Sequence, residues 1–217
     1  MNDQSREKLY ATANLLALIT IGYNLVEGAV SVWFGAADET LSLFGFGVDS
    51  FVEVISGIGI WHMVRRIRAN GGASRDEFER RALRITGWAF YALTAGLVLS
   101  AAVSLYERHR PTSTLWGVIV SLVSIACMWG LIRAKTRVGT ILDSQAILAD
   151  AACSRACLYL SLVLLAASAG YELTGIASLD AVGALLIGWF SFREGREALQ
   201  KARGLSCCCS GSCGGQS

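Results

Sequence analysis

The sequence predicts an all-α, polytopic membrane protein with six transmembrane helices, and three observations carry that prediction. Of 217 residues, 53% are hydrophobic and only 17% are charged, with a single proline, Pro111. Mean hydropathy is +0.48, above that of a soluble globular domain of this size. The charges are clustered and leave long apolar tracts between them, and a bilayer core needs about 20 mostly apolar residues per helix. These tracts use most of the chain, which excludes a soluble enzyme. Nucleic-acid binding has no support beyond one arginine-rich loop, which fits topology or anionic headgroups better.

The first tract, 9–34, lacks a small-residue cleavage site and is preceded by Asp3 and Glu7, so it reads as a helix rather than a signal peptide. Its polar residues Thr20, Asn24, Glu27 and Ser31 recur at helical spacing and share one face. A tight turn over 35–40 sets Asp38 and Glu39 at the mouth of the second tract, 40–64. There the stripe repeats as Ser42, Asp49, Glu53 and Ser56. The polar segment 69–81 opens on Gly71-Gly72 and reads as part of a flexible loop over about 66–82. The third and fourth tracts, 83–105 and 113–133, are plainer, with Gly, Ala, Ser and Thr suited to close packing. The fifth, 142–170, carries the stripe Asp150, Cys153, Cys157 and Ser161, and the sixth, 177–192, is short. Residues 1–204 are expected to form one membrane domain, followed by a disordered cysteine-rich tail over 205–217. Three striped helices facing inward would enclose one polar cavity.

Orientation follows from the basic residues, because short loops rich in Lys and Arg stay in the cytoplasm. Arg6 and Lys8 precede the first helix, and Arg65, Arg66, Arg68, Arg75, Arg80, Arg81 and Arg84 lie between the second and third. Arg133, Lys135 and Arg137 lie between the fourth and fifth, and Arg193, Arg196, Lys201 and Arg203 follow the sixth. The opposite side has only Arg108 and Arg110. The expectation is a multi-pass protein of the cell (inner) membrane with both termini cytoplasmic.

A carboxylate at bilayer depth costs about 2.5–3.5 kcal/mol on insertion scales. Two of them one turn apart cost more, because like charges at i and i+4 repel. Asp49 and Glu53 make that arrangement. It is tolerable where a proton or cation lies between them, where the face is wet, or where Asn24 and Ser31 bind the pair structurally. Cys153 and Cys157 are also at i and i+4. A disulfide between them is unattractive, since one turn sets the Cα atoms about 6 Å apart, near the upper limit. Two carboxylates and two thiolates form a four-ligand set compatible with a tetrahedral, zinc-like or softer ion, and disfavour Mg or Ca. The bland alternative is that both cysteines are small packing residues.

Around this set, Asn24, Glu27 and Asp150 are candidates for groups behind the ligands or along a proton path, and direct ligation is also open to Asp150. Arg155 is expected to pair with Glu27 or Asp180, or to snorkel. Cys127 stands alone in the fourth helix, and His62 and His109 receive no role. In the tail, Cys207, Cys208, Cys209 and Cys213 suit metal capture, with lipidation or an inert end as alternatives.

The stretches ITIGYNLVEGAVSVWFG (19–35) and LSLFGFGVDSFVEVISGIGIWHMVRRIR (41–68) resemble helices one and two of the cation diffusion facilitator family. ILADAACSRACLYLS (147–161) is similar to that family's fifth helix, and SLDAVGALLIGWFSFREGREAL (178–199) to its sixth. In the family, helices two and five each supply two ligands four residues apart, and these positions are Asp49, Glu53, Cys153 and Cys157 here. The usual His and Asp of helix five are replaced by thiols, a departure that bears on zinc preference. The resemblance implies homodimers, alternating access, and exchange of a cytoplasmic divalent cation for protons at a site near the midplane. The family's usual cytoplasmic C-terminal domain is expected to be absent, since only about 20 residues follow the sixth helix.

The expected function is therefore proton-coupled export of a heavy-metal cation of the Zn, Cd, Hg and Co class, conferring metal resistance. No enzymatic activity and no bound cofactor beyond the transported metal are expected. The partners are the metal, protons, lipid and a second copy of the chain. Two alternatives stay open: heavy-metal uptake, and a non-transporting membrane thiol or metal sensor.

Overall fold

The computed structural model describes residues 3–38, 40–70, 77–107, 111–176 and 178–203. The tail cysteines Cys207, Cys208, Cys209 and Cys213 lie outside the described residues. Among the described residues six helices follow in order: α1 (Asp3–Ala37), α2 (Leu41–Asn70), α3 (Glu77–Glu107), α4 (Leu115–Ile141), α5 (Gln145–Thr174) and α6 (Ser178–Ala202). Both ends of the loop expected over 66–82 are helical, because α2 continues to Asn70 and α3 begins at Glu77. Among the described residues five helices contain stretches long and apolar enough to cross a membrane. The sixth falls short in hydropathy because its second half carries Arg193, Glu194, Arg196 and Glu197.

The most extensive helix pairings are α1 with α2, α3 with α6, and α4 with α5. Helix α2 also touches α3, α4, α5 and α6, so the element bearing Asp49 and Glu53 contacts every other helix. Small residues permit this. A Cβ added to Gly47 would lie 2.7 Å from the Val32 backbone nitrogen, so α1 and α2 meet nearly backbone to backbone. Gly87 and Gly195 do the same for α3 and α6: a Cβ on either would approach the other's carbonyl oxygen to 3.0 Å.

The start of α2 is held from α6. Asp180 accepts hydrogen bonds from the backbone N–H of Leu41 at 2.9 Å and of Ser42 at 3.1 Å, and from the Ser42 hydroxyl. The first amides of a helix have no partner within it, and a carboxylate there also meets the positive end of the helix dipole. Asp38 sits in the turn itself, where its backbone oxygen accepts from Thr112 N–H at 3.0 Å.

One apolar cluster fills the bundle on the side of Asp49 nearer the start of α2. It contains Leu43 and Phe46 of α2, Leu93 and Leu97 of α3, Leu160 and Leu164 of α5, and Ile187 of α6. Outward faces stay apolar as well, with Leu99 68% exposed and Trp33 73% exposed, as lipid contact requires. In the second halves of α2, α4 and α6 an Arg lays its guanidinium over the ring of a Trp four residues earlier. The distances are 4.9 Å for Trp61–Arg65, 3.7 Å for Trp129–Arg133 and 5.2 Å for Trp189–Arg193. Such amphipathic pairs suit the membrane–water boundary.

Candidate functional site

The three predicted polar stripes face inward where their side chains are described, and the Ser56 side chain lies outside the described set. Thr20, Asn24, Glu27 and Ser31 of α1 are all buried, as are Ser42 and Asp49 of α2 and Asp150, Cys157 and Ser161 of α5. Glu53 and Cys153 are half-buried. Helical periodicity alone puts each set on one face, and burying the faces together removes the polar groups from lipid.

The stripes converge at Glu53. Its carboxylate accepts a hydrogen bond from the Asn24 amide at 3.1 Å and another from the Cys157 thiol. The Asn24 Oδ1 atom is buried with no hydrogen-bond partner among the described residues. A cavity of about 40 Å³ opens beside this contact, lined by Asn24, Glu53, Asp150, Cys153, Cys157 and Glu194 among others. It lies on the side of Glu53 nearer Gly57, away from the apolar cluster.

Asp49 is not on the wall of this cavity. It is 2% exposed and accepts a hydrogen bond from the Ser191 hydroxyl of α6 at 2.7 Å. Of the four expected ligands, then, Glu53 and Cys157 touch, Cys153 shares their cavity, and Asp49 is held by α6. Among the described residues no three His, Cys, Asp or Glu side chains converge closely enough to hold a metal ion in this conformation.

Glu27 accepts hydrogen bonds from the Tyr23 hydroxyl at 2.7 Å and the Ser50 hydroxyl at 3.3 Å. It belongs to the same buried stripe but does not line the cavity. Asp150 does line it, and is already occupied: Lys135 Nζ lies 2.9 Å from its Oδ1 and 2.9 Å from the Ser154 hydroxyl. Arg155 makes neither pairing expected for it. Glu27 is held by Tyr23 and Ser50, and Asp180 by the start of α2. Arg155 instead lines a larger, open cavity of about 310 Å³ between α5 and α6, with Arg193, Glu194, Glu197 and Lys201. Cys153 and Glu194 are on the walls of both cavities.

Three residues escape the sequence reading. Lys135, counted there as a loop cation, is inside α4 and 1% exposed. A signal for it does exist: Met128, Leu131, Lys135 and Val138 recur at spacings of three and four and are all buried. Ser191 and Glu194 lie three residues apart on α6, facing the acids of α2 and the thiols of α5, with nothing local to single them out.

No curated protein matches the chain closely. The family model for the cation efflux transmembrane domain matches residues 13–203, which is nearly all of the described bundle. Its members are cation transporters rather than enzymes. The match agrees with the helical architecture, the membrane-spanning stretches and the buried polar faces, and the chain belongs to the cation efflux family of multi-pass membrane transporters.

Proposed function

We propose that this protein exports divalent heavy-metal cations of the Zn, Cd, Hg and Co class in exchange for protons, with Asp49, Glu53, Cys153 and Cys157 as ligands. The observation that carries the reading is the Cys157 thiol donating to the Glu53 carboxylate across the α2–α5 interface. Two ligand atoms from different helices share one proton there. A cation that takes the proton's place gains both atoms, so binding metal releases protons and binding protons releases metal. Cys153 on the same cavity wall supplies a second sulfur, and the unpartnered Asn24 Oδ1 offers a neutral oxygen. Thiolates favour soft and borderline ions over Mg or Ca.

In this reading Asp49 joins the other ligands when α6 moves and Ser191 lets go. The apolar cluster around Leu43, Phe46, Leu160 and Leu164 supports a bundle sealed toward the outside in the conformation described. The Trp–Arg pairs on α2, α4 and α6 support a cytoplasmic placement for those three helix ends, and with it cytoplasmic termini. The direct test is metal flux in proteoliposomes with and without a pH gradient. The reading expects Zn or Cd flux that accelerates with an opposing proton gradient; no flux of Zn, Cd, Hg or Co under either condition overturns it.

A further inference from the structure

Lys135 is the one cationic side chain among the described residues that is fully buried. It reaches from α4 to the first half of α5, where its ammonium contacts Asp150 and Ser154 at 2.9 Å each. Both partners line the cavity that holds Glu53, Cys153 and Cys157. Asp150 sits one helical turn before Cys153 and so stands on the thiol-bearing face. Without the ammonium, the cavity would present a hard oxygen ligand, unpaired and inside a bundle, beside two thiols. A buried carboxylate in that state is costly and is neutralised either by a proton or by a metal cation that reaches it.

The geometry points to Lys135 as a specificity-determining residue: a tethered cation that occupies Asp150 and withholds that carboxylate from the transported metal. The cavity is then left with a sulfur-rich set, which selects for soft ions. With Asp150 released, the set gains an oxygen and moves toward harder ions such as Mn²⁺. Lys135 acts through Asp150 and does not itself touch the metal. The inference rests on the thiol–carboxylate site proposed above, and the experiment must separate the two.

The test is equilibrium binding of Cd²⁺ and of Mn²⁺ to the purified full-length protein, comparing the ratio of the two affinities. Lys135→Met is expected to raise Mn²⁺ affinity relative to Cd²⁺ by about tenfold. Lys135→Arg, which keeps the charge, is expected to retain the original ratio. The double variant Lys135→Met/Asp150→Asn removes both charges together, and its ratio is expected to return to that of the unaltered protein. Where Lys135→Met alone does not fold, Lys135→Gln, which keeps a polar contact without the charge, is read against the same expectation. An unchanged ratio in folded Lys135→Met overturns the inference. So does a Cd²⁺ affinity more than about tenfold weaker in the double variant, since Asp150 would then be an ordinary ligand. Cys157→Ser is the control for the underlying site: undiminished Cd²⁺ affinity there refutes the site itself, whatever Lys135 does.

Discussion

The Cys157 thiol hydrogen-bonds the Glu53 carboxylate although the two residues are 104 positions apart in the chain. The contact joins α2 to α5 at the point where both turn their polar faces inward. Serine at position 157 can donate the same hydrogen bond but cannot supply a thiolate. Cys157→Ser should therefore leave folding intact and weaken Cd²⁺ binding about tenfold or more relative to Mn²⁺. Titration calorimetry of both metals checks this, and equal losses for the two would remove sulfur from the argument.

Asp49 provides the contrast between a transporter and a thiol sensor. Asparagine keeps the oxygen that accepts from Ser191, so Asp49→Asn should fold and elute as the unaltered protein does. A ligand lost from a transport site should lower metal flux by more than about tenfold. Flux assays in proteoliposomes decide it. Unimpaired flux would take Asp49 out of the site.

The tie between α6 and α2 makes a prediction about stability alone. Asp180→Ala leaves the N–H groups of Leu41 and Ser42 and the Ser42 hydroxyl without their acceptor. A loss of about 1–3 kcal/mol is expected for buried donors stranded in this way. Thermal unfolding in detergent should show it, with Asp180→Asn intermediate because the amide oxygen still accepts. A melting temperature indifferent to both changes would mean that the cap is not needed.

Close approach of α1 and α2 predicts a steric effect at Gly47. The added methyl of Gly47→Ala would meet the Val32 nitrogen at 2.7 Å and the Ser31 Cβ at 2.8 Å. Neither is the far end of a flexible side chain, so the helices must separate. Overpacking of this kind costs about 1–3 kcal/mol. The same thermal measurement applies, and since α2 also carries Asp49 and Glu53, weakened metal binding should accompany the lower stability.

By itself the amino-acid sequence determined the class of the molecule and the content of its polar faces. Hydropathy and helical period are local quantities, and they suffice to place six helices and to put Asp49 with Glu53, and Cys153 with Cys157, on common faces. They do not say which side chains meet across helices. That Glu53 accepts a hydrogen bond from the Cys157 thiol while Asp49 accepts one from Ser191 depends on the relative register of α2, α5 and α6, which residues more than 100 positions apart settle jointly. Asp180 holding α2 is of the same kind, with 139 positions between Asp180 and Leu41. Lys135 failed for a different reason. Counting charges near a helix end treats every Lys as wet, yet α4 extends past it and turns it onto the buried face with Leu131 and Val138. Only the packed bundle then brings Asp150 within reach, and only there does a loop cation become a buried ion pair beside the thiols.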